Sequence, residues 1–114
     1  METPVAFYQQ CIKQLLSTYE SLKTDEAQIE VIFDDEHLRY LAMWVGWQQS
    51  KRIHQCAIHI DICQETIIIQ RNDTEERLDQ ELMACGIAQD KIRIGFLPPS
   101  VQDAFQTLPQ ERVA

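Results

Sequence analysis

At 114 residues, with 45% hydrophobic and 25% charged side chains, the chain is long enough for one domain and too apolar for disorder. A formal net charge of −8 argues against an unaided grip on a phosphate backbone, which needs lysines and arginines to displace counterions. The charge suits either plain solubility or a basic protein partner.

The start METPVAFYQQ carries Glu2 and no basic region before an apolar core, so it does not read as a secretory leader. Val5, Tyr8, Ile12, Leu15, Leu16, Tyr19 and Leu22 recur at helical spacing between polar residues. They predict an amphipathic helix from Pro4 to Lys23, with Thr3 as its cap and Pro4 at its first position. Ile29, Val31 and Phe33 alternate with Glu30 and Asp34, the pattern of a strand. Six acids fall between Lys23 and Arg39, and Asp34 to His37 read as a solvated acidic turn. That run lacks the glycine and ligand order of a calcium loop.

Two long strands, Leu38 to Trp47 and Arg52 to Ile62, follow around a turn at Gln48 to Lys51. With the turn centred on Gln49 and Ser50, Leu41, Met43 and Val45 share a face with Cys56, Ile58 and Ile60. This is the expected core face, covered by the first helix. Tyr40, Ala42, Trp44 and Gly46 are expected on the other face with Ile53, Gln55, Ala57, His59 and Asp61. Trp47 is expected opposite Arg52, stacked on it.

After a turn at Cys63 to Thr66 comes a strand from Ile67 to Arg71, then a helix opened by Asn72-Asp73-Thr74, with Asp73 and Glu76 at capping-box spacing. Leu78, Leu82 and Met83 give its apolar side and Gly86 its stop. Ile92 and Ile94 suggest a short extended segment. Val101, Ala104, Phe105 and Leu108 suggest a short final helix. The order predicts a single α+β domain over residues 1–114: an N-terminal helix packed on a mostly antiparallel sheet of about four to five strands, a second helix after the fourth strand, and a short C-terminal helix.

Cys11, Cys56, Cys63 and Cys85 are scattered, with no C-x-x-C pair and no zinc spacing. In a reducing compartment they are expected as free thiols, Cys56 as a small core residue. No apolar run is long enough to cross a bilayer, and a cytoplasmic location is expected.

Catalytic patterns are mostly missing: no G-x-S-x-G, no H-E-x-x-H, no phosphate-cradling glycine loop. His59-Ile60-Asp61 is the best catalytic or metal candidate, since positions i and i+2 of a strand share a face. Two groups are too few for a site, so neither catalysis, a metal nor a cofactor is expected. The mixed face of Tyr40, Trp44, His59 and Asp61, rimmed by Lys51 and Arg52, is the candidate partner-binding surface, because Trp, Tyr and Arg anchor protein interfaces. The competing expectation is that the residues from Gly95 to Val113 fold back over it.

The segments YQQCIKQLLSTYE, WVGWQQSKRIHQCAIHIDI, IIIQRNDTEERLDQELMACGI and KIRIGFLPPSVQ, in this order, resemble the XisI family, the fdxN element excision controlling factors of cyanobacteria. The resemblance runs over nearly the whole chain. It implies a non-catalytic accessory protein that acts with a XisH-like, nuclease-like partner in controlling excision of a DNA element by a site-specific recombinase. DNA would be met through that partner, and a homo-oligomer is a further expectation. Two alternatives stand beside it: an antitoxin-like inhibitor of a nuclease partner, and a small-ligand-binding module using the His59 and Asp61 face.

Overall fold

The computed structural model describes residues 3–98. Helix α1 spans Pro4–Tyr19, then strands β1 (Ala27–Asp34), β2 (Arg39–Gln48), β3 (Lys51–Cys63) and β4 (Thr66–Asn72) follow in turn. Helix α2 (Leu78–Ala84), a 3-10 turn (Gln89–Lys91) and strand β5 (Ile92–Ile94) complete the order. The predicted final helix around Val101 to Leu108 lies outside the described residues. No described helix is long and apolar enough to cross a membrane.

Local chemistry explains the element ends. The Thr3 hydroxyl accepts from the Ala6 amide at 3.1 Å and caps α1 as expected. The helix stops at Tyr19 rather than Lys23, because the Leu22 carbonyl is taken by the Ile29 amide and Lys23 bridges to Gln28. Helix α2 starts four residues later than the sequence suggests, with Arg77 rather than Asp73 at its cap position. Asn72 and Thr74 fold the preceding segment into a turn: the Asn72 side chain accepts from the Thr74 amide and hydroxyl and donates to the Glu76 carbonyl at 2.8 Å. Asp73 therefore caps nothing, and Arg77 takes the N-cap position, its guanidinium donating to both oxygens of Asp79 rather than capping the helix. Gly86, at φ +118°, ends α2 as predicted, with the Ile87 amide reaching back to the Leu82 carbonyl.

The five strands form one sheet in chain order. Hairpins make the first four antiparallel, while α2 carries the chain over so that β5 pairs parallel to β4. Both helices lie on one face. Ile12 and Leu16 of α1 and Leu78 and Leu82 of α2 join Tyr40, Ile58, Ile60, Ile67 and Ile69 in a single core. No second layer of described residues covers the opposite face.

The β2–β3 hairpin corrects the expected faces. Its two-residue turn and the pairs Trp47 with Arg52 and Met43 with Cys56 stand where the spacing puts them. Between Met43 and Ala42 the register shifts, so that Ala42 opposes Ile58 and Tyr40 opposes Ile60, with Ala57 as the extra residue. One inserted residue exchanges the faces of everything beyond it, because side chains alternate with period two. Tyr40 and Ala42 therefore join Ile58 and Ile60 under the helices. Leu41, Met43 and Val45 point the other way, half-buried on the open face rather than in the core.

Cys11 and Cys85 form a disulfide, with Cα atoms 6.2 Å apart, in place of the expected free thiols. Their separation of 74 residues hides a pairing that α1–α2 packing creates. Cys56 is half-buried, paired with Met43 at the sheet rather than packed in the core, and Cys63 is exposed.

Candidate functional site

The bulge at Ala57 splits the residues expected to act together. Tyr40 is fully buried. Its hydroxyl donates to Asp35 at 2.8 Å and accepts from Gln9 of α1 at 3.0 Å. Lys13 closes this network on Asp35 at 2.6 Å. Burial pushes the Tyr40 phenol up to about 12; the Gln9 amide opposes the rise, and the bond to Asp35 adds to it. The Lys13 ammonium, with Tyr40, holds the Asp35 carboxyl below its ordinary value. Tyr40 thus pins the acidic β1–β2 turn to the first helix and is no docking residue. Trp44, opposite Ile29, also lies on the helix side. It lines a groove of about 260 Å³ with Tyr19, Leu22, Ile29, Ala57 and Ile58, edged by Asp73, Glu75 and Glu76.

His59 and Asp61 stand on the open face, as does Arg52 at the hairpin tip next to exposed Lys51. His59 Nε2 lies 2.8 Å from Asp61 Oδ1, the i, i+2 convergence expected from strand geometry. The second Asp61 oxygen accepts from Gln70 Nε2 at 3.3 Å. Such a dyad orients an imidazole, but catalysis needs a group for it to activate. Cys56 shares the face, and burial pushes its thiol up, the opposite of what a nucleophile requires. Among the described residues no three His, Cys, Asp or Glu side chains are grouped to hold a metal ion.

The rest of the open face was not singled out by sequence. Ile32, Leu41, Met43 and Val45 line its middle, with Leu41 between Ile32 and His59 in adjacent strands. Ile32 is 49% exposed and Trp47 55%, and the Arg52 guanidinium covers the Trp47 ring at 5.1 Å. Ile68 and Arg93 continue the face across β4 and β5. The Trp47–Arg52 pair was legible from the turn. The alternation of Ile29, Val31 and Phe33 with Glu30 and Asp34 marks the helix side of β1, and Ile32 stands with the two acids on the other side, an apolar residue that the alternation does not account for.

Comparison with known proteins places this geometry. The family model for the XisI protein matches residues 1–106. A XisI-like protein from Anabaena variabilis ATCC 29413 is similar in structure, with a TM-score of 0.83 and 32% identity over 88% of this chain and 94% of that one. The fdxN element excision controlling factor XisI from the same organism superposes with a TM-score of 0.78 and 25% identity, covering 88% of this chain and 99% of that one. No curated protein matches the sequence.

Proposed function

We propose that this chain, which belongs to the XisI family, is an accessory factor without catalysis of its own that controls excision of a DNA element together with a XisH-like, nuclease-fold companion. The similar protein described as an excision controlling factor supports the process. The observation that carries the accessory role is the open sheet face. A five-stranded sheet covered by helices on one side exposes Ile32 and Trp47 on the other, around half-buried Leu41, Met43 and Val45. Exposed apolar surface rimmed by polar groups marks a protein interaction site.

His59 and Asp61 belong to this surface, with Arg52 at its rim, and Trp47 replaces Trp44 as its aromatic anchor. Co-expression with a tagged XisH-like companion tests the reading. The double variant Ile32→Ser/Trp47→Ala keeps its fold, because both side chains are exposed, and is expected to lose co-purification. Retention of the companion by this folded variant places the docking surface elsewhere.

A further inference from the structure

The charge of the open face runs against that of the molecule. The strands carry Arg39, Lys51, Arg52, Arg71 and Arg93 against only Glu30, Asp34 and Asp61, in a chain of net charge −8. Register places the four arginines toward the open face: Arg39 opposes Asp61, Arg52 opposes Trp47, Arg71 opposes His59 and Arg93 opposes Ile68. Three carboxylates share that face: Glu30, opposite Met43, makes no ion pair among the described residues, and the other two are engaged. Asp61 is held by His59 and Gln70, and Asp34 accepts from the Glu36 and His37 amides and contacts the His37 ring. Arg39 and Arg93 make no ion pair among the described residues, and Arg52 contacts only the Trp47 ring and the Gly46 carbonyl.

We propose that the open sheet face docks an acidic protein surface, its aliphatic centre meeting apolar side chains and its arginines meeting carboxylates. This rests on the reading that the face meets a partner, and it adds the partner's chemistry. Arginine suits the role, because its planar fork binds carboxylates bidentately. A second copy seated face to face would set these arginines against one another, and like charges brought together at an interface are strongly disfavoured. Nucleic acid fits less well: the middle of the face is aliphatic, and the chain's net charge of −8 opposes a phosphate backbone.

The test is fluorescence anisotropy with three labelled probes: a helix-forming peptide of alternating Leu and Glu blocks, its Lys-for-Glu counterpart, and a 20-base-pair DNA duplex. The full chain is expected to bind the acidic peptide despite its own net negative charge, and to bind it more weakly as salt rises. Arg39→Glu/Arg93→Glu is expected to weaken that binding at least tenfold. Ile32→Ser/Trp47→Ala is expected to weaken it too. If the apolar variant alone binds normally, the face is the wrong surface and the docking reading fails with it. If the apolar variant loses binding while charge reversal changes nothing, the face docks but its acidic partner chemistry is refuted. No saturation by the acidic peptide, equal or tighter binding of the basic peptide or the DNA, or a doubled solution mass that charge reversal abolishes would each overturn the proposal.

Discussion

The Cys11–Cys85 disulfide makes stability a function of redox state. It joins the middle of α1 to the cap of α2 across 74 residues, closing nearly the whole sheet into one loop. In the chain-entropy account, a crosslink over a loop of that size removes about 4 kcal/mol of freedom from the unfolded chain. For a domain of this length that corresponds to a fall in Tm of roughly 15 °C on reduction. The two ends of the bond make the control straightforward. Cys85 is exposed, so Cys85→Ser removes the crosslink and leaves no hole. Cys11 is 2% exposed, and Cys11→Ser would add the separate cost of a buried hydroxyl. Calorimetry of wild type with and without dithiothreitol is expected to show the drop. Cys85→Ser should melt at the reduced temperature in both buffers. Thiol titration in denaturant should find only Cys56 and Cys63 free before reduction. Four titratable thiols in oxidised protein, or a wild-type Tm indifferent to reductant, refutes the crosslink and its energetics.

Gly46→Ala should weaken folding by about 2–3 kcal/mol in urea titration, because a methyl there runs into the Glu26 carbonyl and comes 2.6 Å from the Ala27 Cα, and backbone at the start of β1 cannot yield as a side chain would. An unchanged midpoint would mean that β1 is not paired at that end. The β3–β4 turn holds Gln64 and Glu65 at φ 52° and 61°, so Gln64→Asn/Glu65→Gly should stabilise by about 1 kcal/mol or more through relief of left-handed strain; a lower urea midpoint would contradict the turn geometry. Tyr19 and Tyr40 are both raised to about 12, mainly by burial. Their contribution to stability is therefore complete below the ordinary phenol value of 10 and lost as pH rises through about 12. Wild type should lose stability steadily across that window, and Tyr40→Phe should lose less of it there; equal slopes for the two proteins would show that the Tyr40 hydroxyl is not held as described.

Helix α1, the four hairpin strands and the stop at Gly86 were legible because each rests on local chemistry: a cap, a period, a glycine. The start of α2 was not. Asn72 and Thr74 compete for the same backbone groups that a capping box would use, and side-chain bonds within the turn prevailed over helix initiation. The disulfide was illegible for a different reason. Scattered cysteines pair only once two helices have packed, and no spacing rule carries that information.

The candidate site shows why one residue outweighs a sound pattern. The run from Leu38 to Ile62 fits a continuous hairpin, and its turn and its first pairs obey that register. Continuous pairing would have put Tyr40, Trp44, His59 and Asp61 on one face. A continuous hairpin cannot bury both Tyr40 and Ile60, since one would face solvent whenever the other faced the helices. The bulge at Ala57 lets both enter the core and leaves Ala57 and Ile58 buried in succession. The same insertion turns His59 and Asp61 outward beside Leu41 and Arg39, so the step that completes the core also composes the open face. The Ala57 bulge thus serves both core and surface, and a second register shift, between β3 and β4 at Gln70, sets Arg71 opposite His59. A deletion that removed the Ala57 bulge would expose Ile58 and Ile60 and bury the His59–Asp61 pair together, so the outward placement of that pair is tied to the packing of the core.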